Sequence, residues 1–265
     1  MLSSVLLEWH YSPASFIEDL SIITVPPFQA APEQGKIFAN ISVLTDEEAE
    51  EEKNHLHNRL LSLFRTVQLS NHCAFELSKP LTVTTDEEGK RKIVLELETA
   101  VEVAEAGRLD VLMTDPSGTV VVDTRADRVS SLKAMNEMVA VCVEGDKTLH
   151  FMLESYDKAV RFPGQECMYL YQIYDALCKR LGTRKAVEAE FSGDDKNFED
   201  DIEAFRTLCC EAPIIQGRHA GYSHKELRPA TWEELKKVRR VARDMVMKYV
   251  TYLQKQQAGG VGDGA

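Results

Sequence analysis

The chain has 265 residues, 44% apolar and 28% charged, which is enough for one large domain or two modest ones with real cores. Its net charge of −12 excludes a general nucleic-acid-coating protein, whose affinity comes from neutralising phosphates. No apolar run approaches the roughly 18–20 residues that cross a bilayer. The first ten residues also lack a basic region and a small-residue cleavage site, so a cytoplasmic protein with no membrane partner is expected.

The N-terminal half reads as mostly strands. Residues 5–11, 20–25 and 36–43 are short, rich in β-branched or aromatic side chains, and bounded by Pro or Gly. Thr45 with Glu48 then forms a capping box, which predicts a helix from there to about Gln68. Leu56, Leu60, Leu63, Phe64 and Val67 repeat along it at helical spacing. Strand character returns at 73–77 and 80–84, and the turn 86–89 joins the latter to 92–97 as a hairpin. A second hairpin is expected from 109–113 and 119–122, around the turn sequence Asp115-Pro116-Ser117-Gly118.

From about Asp123 the pattern becomes helical, with expected spans 127–143, 146–161, 165–181, 197–210 and 232–254. Tyr169, Leu170, Ile173, Tyr174 and Leu177 form one apolar stripe, and Gly182 is a C-cap candidate. The last helix carries the clearest start signal: Pro229, then Thr231 and Glu234 as a capping box. Leu235, Val238, Ala242, Met245, Tyr249 and Leu253 make its inward face. The expected fold class is α+β: a β-rich N-terminal domain over 1–123 with one long helix, and a helical bundle over 124–255. The tail 256–265 has nothing to bury and reads as disordered.

Most familiar chemistry is unsupported. There is no Gly-x-Gly-x-x-Gly after a strand, no Walker A sequence, no Gly-x-Ser-x-Gly and no His-Glu-x-x-His. Asp110, Asp115, Asp123 and Asp127 could gather a magnesium ion, but Asp115 fits a turn better, and Asp123 and Asp127 fit a helix start. His55 and His57 are two apart on a helix and do not share a face. His72 and Cys73 are adjacent, without partners at metal-like spacing. The six cysteines show no Cys-x-x-Cys pair, and Cys209-Cys210 read as core thiols, so reduced cysteines are expected. No metal and no cofactor is expected.

One loop stands apart. Gly217-Arg218-His219-Ala220-Gly221-Tyr222-Ser223-His224 places an arginine and two histidines between helices. From Arg218 to Lys248 there are nine Lys/Arg against four Asp/Glu, a balance of +5 that leaves −17 for the rest. An arginine offers a fixed donor fork for phosphate, and a histidine titrates in the range that moves protons near neutrality. The spacing of Arg218, a polar residue and then His224 resembles the signature of HEPN domains, helical nucleotide-binding domains of which many are metal-independent RNases. The order of helices over roughly 146–254 is similar as well. The segments 170–177, 217–221 and 227–231 also resemble uncharacterised bacterial proteins with a helical C-terminal half, which implies no activity.

The HEPN resemblance implies an endoribonuclease, in a toxin or defence setting, working as a homodimer with two copies facing each other. Arg218 would hold the scissile phosphate, His224 would act as acid or base, and His219 would support it. Lys225 and Arg228 would add phosphate contacts. The alternative is a non-catalytic module that binds a nucleotide or a partner protein. In that case Arg218 caps a helix or pairs with an acid such as Asp175, and His224 lies in solvent.

Overall fold

A computed structural model describes residues 3–18, 23, 28–31, 34–43, 45–85, 91–94, 110–115, 117, 119–192, 196–218 and 226–259. The chain divides into two units, 1–67 with 73–137, and 68–72 with 138–265. The first is β-rich and the second helical, so the fold is α+β. The β-rich unit continues well past the expected boundary at 123. The reason is packing: Leu132 is buried in its core, and Val129 and Met135 lie against it.

In the first unit, antiparallel strands follow the order β2-β3-β1-β5-β6: β2 (Phe28–Ala31), β3 (Lys36–Val43), β1 (Ser3–Ser12), β5 (Leu81–Thr85) and β6 (Arg91–Val94). The two-residue β4 (Glu76–Leu77) pairs the far end of β1. Strand β1 alternates as a half-buried strand must, with Val5, Leu7, Trp9 and Tyr11 inward. Its pairing sets Trp9 opposite Ile37 and Leu7 opposite Ala39, so both strands offer one apolar face. The helix α1 (Asp46–Asn71) covers that face with Leu56, Leu60, Phe64 and Val67. Phe64 stacks on Phe16 at 5.3 Å and tilts against Phe75 at 5.2 Å. Each such fully buried side chain contributes about 1.5–3 kcal/mol.

The capping box forms as expected, with the Glu48 amide donating to Thr45 Oγ1 at 3.1 Å. His57 accepts from the Trp9 indole at 3.2 Å, so one of the two helix histidines holds the core. The edge strand β2 lies between the expected strands 20–25 and 36–43, in a stretch whose prolines and glycine read as a connection. Only Ile23 of the expected strand 20–25 lies among the described residues, and it is buried.

The hairpin β7 (Leu112–Thr114) with β8 (Val120–Asp123) forms where expected. Asp115 caps its turn, accepting from the Ser117 amide at 2.8 Å and the Thr119 amide at 3.0 Å. Asp123 accepts from the Ala126 amide at 2.9 Å and starts α2 (Thr124–Val143), while Asp110 pairs with Arg128. These aspartates therefore shape the backbone or an ion pair. No group of three or more His, Cys, Asp or Glu suited to a metal occurs among the described residues.

The helical unit contains α3 (Lys147–Arg161), α4 (Glu166–Leu181), α5 (Arg184–Ser192), α6 (Lys196–Arg206) and α7 (Trp232–Gly259). Asp146 caps α3 by accepting the Leu149 amide at 2.8 Å. Gly182 ends α4 with φ +96° and donates to Cys178 O at 2.9 Å. Helix α5 carries no sequence period long enough to read, yet Val187 and Phe191, one turn apart, are buried. After α6 the chain makes a π turn, Thr207–Glu211, instead of continuing as α-helix. Helix α7 buries Val238, Ala242, Met245 and Tyr249 completely, as the sequence stripe requires, and runs past 254. None of the six cysteines forms a disulfide. No helix among the described residues is long and apolar enough to cross a membrane.

Two stability experiments follow from this geometry. Gly35 has φ +61°, and a Cβ there would lie 2.5 Å from Tyr11 O. Gly35→Ala should lower unfolding stability in urea by about 1–3 kcal/mol. At α7, Arg228 grips both oxygens of Glu234 at 2.8 and 2.6 Å, and Glu234 also accepts from the Thr231 amide at 2.7 Å. These hydrogen bonds pull its carboxyl down to about 2 from an ordinary 4.5. A depressed carboxyl stabilises fully above its unfolded value and loses that contribution as pH falls from there toward 2. Protection of the first-turn amides of α7, taken as exchange relative to the intrinsic rate at each pH, should therefore fall across that window, and Glu234→Gln should abolish that fall.

Candidate functional site

The helical unit holds a cleft of ≈ 730 Å³ along the outer face of α4. Met168, Tyr171, Gln172, Asp175, Ala176 and Lys179 line it, and their three- and four-residue spacing places them on one helical stripe. This stripe is the counterpart of the buried one, since Leu170, Ile173 and Leu177 face the core. The start of α3 adds Lys147, Thr148 and the half-exposed ring of Phe151; Arg180 and Arg218 complete the wall.

The backbone places Arg218 there. The α-helical donor position for Cys209 O is Pro213, which has no N–H, and the Arg218 amide donates to that carbonyl at 2.7 Å. Gln216 O accepts from the Met168 amide at 3.2 Å, tying the same segment to the start of α4. Gly217 sits close enough that a Cβ would lie 3.2 Å from Ile214 O. Downstream, Ile215 N donates to Arg228 O and Arg228 N to Pro213 O, both at 3.0 Å, which closes the two ends of the loop on each other.

The side chain of Arg218 donates to Asp175 Oδ2 at 2.9 Å, and its guanidinium carbon lies 5.0 Å from the Tyr171 ring centroid. This is the pairing with Asp175 that the sequence offered as the alternative role of the arginine. The pair is not buried: 41% of the Arg218 and 46% of the Asp175 side chain meet solvent, a setting in which an ion pair is worth little. Burial in the cleft raises the Asp175 carboxyl above its ordinary 3.8 despite the opposing pull of the guanidinium. Burial likewise pushes the Tyr171 phenol up to about 12, so it stays a neutral ring, and that ring stacks on Phe205.

Four cations thus line the cleft: Lys147, Lys179, Arg180 and Arg218. Asp175 is the one carboxylate among the described lining residues. Lys147 and Lys179 make no ion pair among the described residues. Arg180 donates to Tyr249 OH at 3.2 Å, and that hydroxyl donates to the Asp146 carboxylate at 3.0–3.1 Å. The cleft is positive although the chain is acidic, and Phe151, Met168 and Tyr171 give it apolar surface.

Of the sequence candidates, Arg218 is in the cleft. Arg228 is half-exposed and engaged with Glu234 and the Pro229 carbonyl, holding the entry to α7. His219, His224 and Lys225 lie outside the described residues. Three of the four cleft cations lie outside the basic segment 218–248. Lys179 and Arg180 read in sequence as favourable charges at a helix C-terminus, and Lys147 as an ordinary surface residue. The one available signal was the pair Tyr171 and Asp175, polar-edged residues four apart on the side of α4 away from its apolar stripe. No protein-family model, no curated protein and no solved structure matches the chain.

Proposed function

We propose that the helical unit binds a phosphate-bearing nucleotide or a short single-stranded RNA segment in the Arg218 cleft. The observation that carries this reading is the excess of cations around an aromatic-walled cleft in a chain of net charge −12. A volume of ≈ 730 Å³ falls in the range of small-ligand sites. The guanidinium supplies planar donors for phosphate, and the exposed Phe151 ring supplies a face for a base. Asp175 acts as a resident counter-ion that an incoming phosphate displaces from Arg218. Solvent exposure makes that exchange inexpensive.

Cleavage is the stronger form of the reading. It needs a proton-transfer group beside the phosphate held by Arg218, a role that falls to His224 with His219 in support, and a homodimer in which two such loops meet. The binding form requires neither and rests on the described residues alone.

Calorimetry with a dinucleoside monophosphate such as UpU tests the binding form, because its phosphodiester does not titrate above pH 3. Arg218→Ala should weaken binding about tenfold or more. Asp175→Asn should strengthen it. As pH falls toward the raised Asp175 range, protonation removes the negative wall charge and releases Arg218, so wild-type affinity should rise; Asp175→Asn should be flat. Equal affinity in wild type and Arg218→Ala would sink the cleft as the binding site.

Incubation of a mixed RNA pool in EDTA separates the two forms, and we expect binding without cleavage. Metal-independent cleavage that disappears in folded Arg218→Ala and His224→Ala proteins would replace the binding module with a nuclease.

A further inference from the structure

The helical unit contains a second basic pocket, of ≈ 480 Å³, lined by the first turns of α7, Tyr156 of α3 and the residues 69, 70 and 72 at the end of α1. Behind it lies Glu166, 1% exposed. Arg239 donates to both Glu166 oxygens at 2.6 and 2.9 Å, and His72 Nε2 stands 3.3 Å from Oε1. Burial alone would raise this carboxyl, but the Arg239 and His72 hydrogen bonds hold it below its ordinary value. It is therefore ionised, and it neutralises Arg239. The other ring nitrogen of His72 is 3.1 Å from Tyr156 OH, which fixes the imidazole as a wall of the pocket.

The remaining cations are unequally matched. Lys237 and Arg240 share Asp201 at 3.5 and 2.6 Å. Lys236 makes no ion pair among the described residues, and Arg243 has only Asp244, at 3.7 Å. Lys236 and Arg243 are seven residues apart on α7, hence two turns along one face. Glu233 is the carboxylate in the lining. At the mouth stands Trp232, 65% exposed, with the Arg239 guanidinium carbon 5.3 Å from its ring centroid.

We infer that this pocket binds a nucleobase carrying a terminal phosphate, the base stacked on Trp232 and the phosphate held by Lys236 and Arg243. An exposed indole beside an unpaired lysine and an arginine held only by a long ion pair is the pairing of stacking platform and phosphate clamp that such a group requires. Glu233 opposes the phosphate and sets an upper limit on affinity. The site does not depend on the Arg218 cleft, and its ligand is either a free nucleotide or the 5′ end of an RNA strand.

The chain has two tryptophans. Trp9 is fully buried and Trp232 is 65% exposed, so the iodide-quenchable emission of the full chain reports Trp232. Adenosine 5′-monophosphate should protect that emission from iodide, and inorganic phosphate should compete. A Lys236→Ala/Arg243→Ala double variant should bind about tenfold more weakly. Lys236→Glu, at an exposed position, makes the same test should the double variant melt abnormally. Glu233→Gln should bind more tightly, and Arg218→Ala should bind as wild type. A 5′-phosphorylated oligoribonucleotide compared with its 5′-hydroxyl form tells the free nucleotide from the strand end. The inference is overturned if neither phosphorylated probe alters the emission, if the α7 variants bind as wild type, or if Arg218→Ala alone abolishes the effect.

Discussion

A buried negative charge organises the helical unit. Glu166 opens α4 almost out of reach of water, and an ionised carboxylate there is tolerable only with partners in place. Arg239 from α7 and His72 provide them. Removing one partner from such a pair costs about 3–5 kcal/mol, because the other charge is left buried and alone. The requirement fixes where along α7 the start of α4 must lie. Once that register is set, Leu170, Ile173 and Leu177 fall into the core, and Tyr171, Asp175 and Lys179 fall on the opposite stripe. The cleft is in this sense a by-product of satisfying Glu166.

Charge is distributed against the overall balance of the chain. The acidic residues crowd the start of α1 and stretches outside the cleft, while Lys147, Lys179, Arg180 and Arg218 come together from three separate parts of the sequence. Their mutual repulsion is relieved in two ways. Asp175 neutralises Arg218 at the surface, and Tyr249 relays the Asp146 carboxylate toward Arg180 through one hydroxyl. The two lysines are left to water, where their hydration costs nothing until a ligand displaces it.

Local signals were legible in the chain, and long-range ones were not. The capping boxes Thr45/Glu48 and Thr231/Glu234 announced α1 and α7, because both partners lie within four residues. The β-branched and aromatic side chains of 5–11 announced β1, and pairing of Arg218 with an acid such as Asp175 stood as the alternative role of the arginine. The strand β2 lies in a stretch that reads as a connection and helix α5 is too short to display a period, and their formation rests on β3 and on the buried Val187 and Phe191. His72 looked partnerless because Tyr156 and Glu166 lie 84 and 94 positions later. The compact β-rich unit extends to 137 for a related reason: the apolar face of α2 serves its core through Leu132, a preference invisible in a helix that looks the same along its whole length.

The π turn at Thr207–Glu211 gives the cleft an unusual dependence on chain length. Such a turn holds one residue more than an α-helical turn would, and so shifts everything after it by about 100° and 1.5 Å. The carbonyl of Cys209 is open to the Arg218 amide because residue 213, its α-helical donor position, is a proline. The length of the turn and Pro213 thus act together on the backbone position of the arginine. A single deletion between 207 and 211 would change the turn and move Arg218 relative to Tyr171 and Asp175. The aim of Arg218 is therefore exposed to frame-preserving deletion in the turn as well as to replacement of Pro213.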